Sequence, residues 1–301
     1  MILCSDIRKC PNLKGVEKVN TETIKQYEGN VDVRALICSR DVAQVAQNMN
    51  IPNLKVIQLF SVGFDNIDPK LLQSKGVHLC NAANVYNTGM AEFVVYAMLM
   101  RAKRYHKSIK NHMLRPFLNY NYITELAGKT VGILGAGNIG GQIAKRLDAF
   151  EMNVLGYDIN TADRPFFLKI FNKDGLKEFL GRCDYIVNCM PLFKSTEGML
   201  SKEWFEKMKA DVTIINVGRK KIINDKDFIA FLKSHKEATA ILDIFEKIPN
   251  PLTNPYRRLR NVLVLPGVTA ISKEINEKLS NLILENMRRL RCGEPFLNQI
   301  V

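Results

Sequence analysis

The sequence predicts an α/β protein built on parallel sheets, and three observations predict it. Apolar runs of strand length alternate with helical stretches nearly throughout the 301 residues. No repeat, low-complexity tract or Gly/Ser linker interrupts the alternation. Apolar residues make up 47% and charged residues 24% of the chain, a globular composition that can bury a core without disulfide or metal staples.

In the first third, Ala35–Cys38, Lys55–Leu59 and Val77–Cys80 read as short buried strands with helices between them. MAEFVVYAMLMRAKRYHKSIKNHM (Met90–Met113) reads as one long helix, apolar all round at first and then basic, of the kind that joins two domains. A second alternation begins with a strand at Thr130–Leu134 and a helix at Gln142–Phe150. Strands follow at Asn153–Tyr157, Tyr185–Cys189, Thr213–Val217, Ala238–Leu242 and Val262–Leu265. The spacing of Ile275, Leu279, Leu282, Ile283 and Met287 predicts a last helix over Lys273–Cys292, placed to return to the first domain.

Several functional classes fall away. The stretch Phe93–Met100 is closed by Arg101 and is too short to cross a bilayer, and MILCSDIRKC has no apolar signal core, so a cytoplasmic protein without membrane contact is expected. The seven cysteines form an odd set with no CxxC, which argues for reduced, mostly buried thiols and for no metal site. With 43 Lys+Arg against 30 Asp+Glu the net charge is +13, which favours anionic ligands. The basic groups at Arg101–Lys110, Lys220 with Lys221, and Tyr256–Arg260 lack interleaved aromatics, so nucleic acid is not the expected partner.

The chemistry begins at Gly135–Gly140, GAGNIG, directly after a strand and before a helix. In such a motif Gly135 permits a tight turn, Gly137 lets backbone approach a pyrophosphate, and Gly140 lets helix and strand pack closely. Asn138 and Ile139, between the last two glycines, join the cofactor-binding set, and the N-terminus of the helix that follows supplies positive potential. Asp158 ends the next strand, 18 residues past Gly140, where a carboxylate accepts from an adenosine ribose and repels a 2′-phosphate. Dinucleotide binding is predicted, with NAD favoured over NADP. A ligand-free glycine turn does not explain why spacing, strand, helix and Asp158 agree.

From here the sequence resembles the D-2-hydroxyacid dehydrogenase family along nearly its whole length. Six segments agree in order: FSVGFDNID (Phe60–Asp68), NAANVYNTGMAE (Asn81–Glu92), VGILGAGNIGG (Val131–Gly141), CDYIVNCMPLFKSTEGM (Cys183–Met199), IINVGRK (Ile214–Lys220) and LDIFEKIP (Leu242–Pro249). NVLVLPG and GEPFLN near the end look like the family's last strand and tail. The resemblance implies two doubly wound parallel-sheet domains with a cleft between them, and a homodimer. A Rossmann NAD-binding domain, residues 88–270, would be inserted in a flavodoxin-like substrate domain, residues 1–87 and 271–301.

It also implies residue roles. Val62 and Gly63 lie on the loop whose amides hold a substrate carboxylate. Cys189, Met190 and Pro191 border the adenosine side, and Val217 joins the cofactor-binding set. Asp243 looks like the carboxylate that meets the nicotinamide amide; taken alone it would be a strand-end turn cap. Arg219 falls on the family's essential arginine, a guanidinium able to bind a 2-keto acid bidentately and polarise its carbonyl; taken alone it would read as a surface charge.

Two positions depart from the family. Ile248 stands where the family's glutamate belongs, before the proline closing LDIFEKIP, and Gly267 stands where its histidine follows Pro266. The histidines are His78, His106, His112 and His235, so none follows position 235 and realignment cannot supply one. Losing a general acid costs about 10² to 10⁴ in rate, so slow chemistry is expected. Replacement donors are Lys220 and Lys221 first, then Lys247, Glu246, Thr269, Tyr120, Tyr122 and His112. The reading is an NAD-dependent oxidoreductase acting on a small 2-hydroxy or 2-keto acid, with SVGFDNID nearest the glycerate, glyoxylate and hydroxypyruvate branch. The alternative is a catalytically inactive NAD-binding redox sensor or scaffold.

Overall fold

The computed structural model describes residues 1–10, 12–104, 123–243, 254–265 and 267–301. By its contacts the chain divides into two units, Met1–Tyr86 with Ser272–Val301, and Asn87–Ile271.

In the first unit, β1 (Ile2–Cys4), β2 (Val16–Lys18), β3 (Ala35–Cys38), β4 (Val56–Leu59) and β5 (His78–Cys80) form one parallel sheet in the order β2-β1-β3-β4-β5. The order reverses beside β1, which is the doubly wound arrangement with both sheet faces covered. That is why β3 and β4 are buried at every residue. Along β3, Leu36 and Cys38 join a core with Val42 and Ala43 of α1 (Arg40–Ala46) and Leu72 of α2 (Pro69–Ser74), while Ala35 and Ile37 join the opposite core.

The second unit opens with α3 (Asn87–Ala102). It continues through β6 (Thr130–Leu134), α4 (Asn138–Asp148), β7 (Asn153–Tyr157), β8 (Lys169–Phe171), α5 (Leu176–Arg182), β9 (Tyr185–Asn188), α6 (Lys202–Phe205), β10 (Thr213–Asn216), α7 (Asp225–Ser234), β11 (Thr239–Asp243) and β12 (Val262–Leu265). These seven strands make a parallel sheet in the order β12-β11-β10-β9-β6-β7-β8. The chain runs outward from β6 to β8, then crosses back to β9, so a switch point opens at the C-terminal ends of β6 and β9. Ala91, Val94 and Met98 of α3 and Ile143 and Leu147 of α4 cover one face. Phe179, Trp204, Phe205 and Phe228 cover the other.

The chain then returns to the first unit as α8 (Lys273–Cys292), capped by Ser272, whose Oγ accepts from Ile275 N at 3.3 Å, and by Gly293 at φ 69°. Ile275, Leu279, Ile283 and Met287 fill the core on the Ala35 and Ile37 face. Asn286 fixes the docking: its Nδ2 donates to Gln58 Oε1 at 2.6 Å and to Leu297 O at 3.1 Å, and its Oδ1 accepts from Leu297 N at 2.8 Å. Beyond α8, Ile300 N donates to Leu79 O at 2.7 Å, which adds the tail to the β5 edge.

The structure changes the sequence reading in three places. The helix expected over Met90–Met113 starts at Asn87 and ends at Ala102, because Arg104 takes a left-handed conformation at φ 47°; residues 105–113 lie outside those described. The helix expected from Gln142 starts at Asn138, since Gly137 is its N-cap and Gly140 and Gly141 lie in its first turn. The strands β1, β2 and β8 have three residues each and are not in the sequence reading. All seven cysteines are free thiols, five of them buried. No helix among the described residues is long and apolar enough to cross a membrane.

Candidate cofactor and active site

The glycine turn is built by steric demand at two positions. Gly135 sits at φ 90°, donates to Tyr157 O at 2.9 Å, and a Cβ there would stand 3.3 Å from Met190 Cα and N. At Gly140 a Cβ would stand 2.1 Å from Gly135 O, so no larger residue lets α4 start this close to the turn. Gly137 differs: a Cβ there meets nothing within 4 Å, and no side chain caps the helix that it opens. With no side chain at Gly137 to cap them, the first amides of α4 are left to other acceptors. This fits the pyrophosphate of a dinucleotide, with Asn138 and Ile139 on the same first turn.

Asp158 follows β7 on the adjacent side. Its Oδ2 accepts from Ala136 N at 2.9 Å, inside the glycine turn, and its Oδ1 from Asn160 N at 3.1 Å. The structure adds a partner absent from the sequence reading. Arg164 lies 3.4 Å from Asp158 Oδ2 and also donates to Ala136 O, so a guanidinium stands over the carboxylate expected to meet the ribose.

Two buried asparagines set the loops that follow β9 and β10. Asn188 Nδ2 donates to Asn216 Oδ1 at 2.9 Å, and that oxygen also accepts from Gly218 N at 3.1 Å; Asn188 Oδ1 accepts from Met190 N at 3.2 Å. Val217 N donates to Asn188 O at 3.1 Å. Gly218 lies so close that a Cβ would come within 3.0 Å of Met190 O. Cys189 donates its thiol to Leu134 O and Gly135 O, each at 3.2 Å, and burial pushes its pKa up to about 12, which keeps it neutral. Cys189, Met190, Val217 and the glycine turn are thus one hydrogen-bonded cluster at the switch point, with Pro191 next along the same loop. Sequence reasoning missed Arg164, Asn188 and Asn216. An asparagine ending each of two neighbouring strands was the available signal for the last two.

Arg219 follows directly, half-buried at the N-cap of a short 3₁₀ turn, Lys220–Ile222. The two lysines ranked first as proton donors have other surroundings. Lys220 is ion-paired with Asp225 at 3.2 Å, and Lys221 is exposed, so neither is the enclosed amine that the sequence reading requires. Glu246, Lys247, Ile248, His106, His112, Tyr120 and Tyr122 lie outside the described residues. His78 lies in the first unit, with Nδ1 3.3 Å from Val301 O. His235 stacks on Phe231 at 4.4 Å and precedes β11, at the opposite end of the strands from the glycine turn.

Asp243 ends β11 at the same sheet edge as the glycine turn. Its Oδ1 accepts from Val268 N and its Oδ2 from Thr269 N, both at 3.0 Å, so it closes the loop that carries Gly267 at φ 73°. Thr269 is 4% exposed, and its Oγ1 has no hydrogen-bond partner among the described residues.

In the first unit, Val62 and Gly63 lie on the loop after β4. Cys38 O accepts from Phe60 N at 3.1 Å and fixes the loop to β3. The loop's own carbonyls are engaged: Phe60 O accepts from Tyr86 Oη, Ser61 O from Ala82 N at 3.0 Å, and Val62 O and Gly63 O from Asn81 Nδ2 and Ser61 Oγ at 2.8 Å each. Among the described residues no three His, Cys, Asp or Glu side chains are grouped as a metal would need.

Comparison with known proteins agrees with this geometry. Residues 93–268 match the family described as D-isomer specific 2-hydroxyacid dehydrogenase, NAD binding domain. The chain is 31% identical to D-3-phosphoglycerate dehydrogenase of Archaeoglobus fulgidus over 92% of its own length and 52% of that protein's. It is also 31% identical to glyoxylate reductase of Thermofilum pendens, over 87% of its length and 80% of that protein's. The chain thus spans about half of the first relative and most of the second. A crystal structure of a D-isomer specific 2-hydroxyacid dehydrogenase family protein from Klebsiella pneumoniae superposes with a TM-score of 0.84 at 25% identity, covering 100% of this chain and 96% of that one. The chain belongs to the D-isomer-specific 2-hydroxyacid dehydrogenase family, and its second unit carries that family's NAD-binding domain.

Proposed function

We propose that this protein transfers hydride between NAD and a small 2-hydroxy or 2-keto acid, with glyoxylate and hydroxypyruvate as the first candidates. The observation that carries the reading is the placement of Arg219: it follows the loop locked to the glycine turn through Asn216, Gly218 and Met190. A guanidinium delivered by that loop can bind a carboxylate and the adjacent carbonyl oxygen bidentately and stabilise charge developing on that oxygen. By the family resemblance, the amides of Val62 and Gly63 are assigned to the substrate carboxylate. Asp158 and the first turn of α4 are assigned to the ribose and pyrophosphate, and Asp243 to the nicotinamide end. Bound NAD supplies the hydride donor or acceptor. Protonation of the nascent alkoxide is not assigned to Lys220 or Lys221, and the absent histidine at Gly267 argues for slow turnover, about 10² to 10⁴ below that of an enzyme with a positioned acid.

The same Gly267 favours a second reading, an NAD-binding sensor or scaffold without turnover. One experiment separates the two. NADH consumption is followed with glyoxylate, hydroxypyruvate and other small 2-keto acids for wild type and Arg219→Ala, with NADH binding checked in the same samples. Turnover that falls at least about a hundredfold in Arg219→Ala is expected. Tight NADH binding without turnover on any acid leaves the sensor reading standing alone. We also propose a homodimer, for which light scattering is the test, and a cytoplasmic location, which localisation of a tagged chain tests.

A further inference from the structure

We infer that Cys4 and Cys10 are a redox-modification site, a dithiol that a small disulfide oxidant converts to a protein disulfide, so that the loop between them tightens on Phe60. The bond is independent of the function proposed above; its consequence for substrate rests on the reading of Val62 and Gly63 as a carboxylate loop.

The chain brings the two thiols together by local means. Cys4 ends β1, and the chain then makes one short 3₁₀ turn, Ile7–Lys9, capped by Asp6 and closed by Cys10 N donating to Ile7 O at 2.9 Å. Cys10 is thereby carried back over the end of the strand, with its Sγ 3.6 Å from Cys4 Sγ. A disulfide holds its sulfurs about 2.05 Å apart, so little closure is needed, and the loop it would close is short, which keeps the entropic cost of meeting low. Cys38 ends the neighbouring strand β3 but belongs to the opposite core, whereas Cys4 and Cys10 share one. The hydrogen bond between the two sulfurs lowers the pKa of Cys4 and raises that of Cys10, leaving one as the better thiolate and the other as its donor.

Both thiols are buried, at 0% and 2% exposure, so oxidation waits on a local opening. The turn that carries Cys10 is three residues long, and Ile7 and Arg8 on it are exposed, so it can open without disturbing the sheet. In the opened turn the Cys10 thiolate attacks one sulfur of the oxidant, and the electron pair of the broken S–S bond leaves on the other sulfur as a small thiolate. When the turn recloses, the Cys4 thiolate attacks the Cys10 sulfur of this mixed disulfide and expels the second small thiolate. The protein gives up two electrons and both thiol protons, and the oxidant is reduced to two thiols.

The bond has something to act on. Lys9, beside Cys10, places its Nζ 4.8 Å over the centroid of the Phe60 ring, and Phe60 lies in the same core as both cysteines. β1 and β4 run parallel on either side of β3, so the loops that follow them lie on one edge of the sheet. Phe60 opens the loop that carries Val62 and Gly63. Pinning Cys10 to β1 pins Lys9 on Phe60 and stiffens the base of that loop.

The test treats wild type with oxidised glutathione, alkylates the remaining thiols and digests with trypsin, which cuts after Arg8 and Lys9 and so separates the two cysteines. Residues 1–8 and 10–14 should appear as one joined pair, about 2 Da lighter than the two reduced peptides together, and dithiothreitol should part them. Hydrogen exchange across residues 60–63 should be about tenfold slower in the oxidised protein, and the same treatment of Cys10→Ser should leave it unchanged. Free Cys4 and Cys10 after treatment, glutathione adducts without the joined pair, or Cys4 joined to another cysteine overturn the inference. Exchange that is unaltered in the joined protein, or slowed equally in Cys10→Ser, overturns it as well. None of these readouts uses turnover, so failure of the dehydrogenase reading is a distinct result.

Discussion

At the scale of single residues, the carboxylate of Asp158 is not bare. A lone acid at the end of this strand repels a 2′-phosphate, and that repulsion is the basis for favouring NAD. Here Arg164 sits 3.4 Å away, and both side chains are largely shielded, at 25% and 17% exposure, so solvent screens the pair only in part. The guanidinium offsets the repulsion and offers a phosphate partner. Arg164→Ala should therefore raise the ratio of the NADPH to the NADH dissociation constant about tenfold, or ~1.4 kcal/mol, measured by titrating both cofactors against both proteins; an unchanged ratio would show that Arg164 only pins Ala136. The site was legible in the sequence where a residue type has one use at one place, as with Gly135, Gly140 and Asp158. Asn188 and Asn216 were not legible, because each acts through the other, 28 positions away on a neighbouring strand, and Arg164 was not, because polarity alone does not name Asp158 six residues before it as its partner.

At the scale of elements, α8 shows how polar anchors join an apolar face. Its buried stripe supplies the attraction, and the Asn286–Gln58 pair fixes where the helix sits, since any slip leaves both amides buried and unpaired. On the outer side, Glu285 accepts from Arg288 and Arg289 at 2.7 to 2.9 Å, and these bonds hold its pKa down at about 2. A carboxylate depressed on folding contributes stability above its usual value near 4.5 and loses it as pH falls from there to about 2. Glu285→Gln should thus melt slightly below wild type at neutral pH, with the two curves converging over that acid interval in scanning calorimetry; a gap independent of pH would remove the charge argument. The ends of α8 could be read from Ser272, Gly293 and the apolar spacing, and the four- and five-residue strands from their mainly apolar runs. By contrast β2, Val16–Lys18, has no fully buried residue, and the stop of α3 rests on a left-handed Arg104 for which the sequence carries no signal.

At the scale of the whole molecule, we propose that the homodimer implied by the family resemblance uses a face of the second unit. A groove between α3 and α4 is lined by Val95, Ala149 and Phe150, with Glu92 and Arg146 ion-paired at 3.6 Å beside it. Phe150 is 38% exposed there, and a charge in its place would be desolvated by any partner covering the groove. Light scattering should give about twice 34.2 kDa for wild type and about 34.2 kDa for Phe150→Glu; a variant that stays dimeric would place the contact elsewhere. The return of α8 carries a different consequence. Residues 87–271 are all synthesised before Ser272–Val301, the segment that supplies α8 and the strand-like tail on β5. During synthesis the first unit must therefore wait, with the Ala35 and Ile37 face of its sheet uncovered, until the unit made after it is complete. The part translated first is the part finished last, and its exposed sheet face is the surface that a chaperone would meet on the nascent chain.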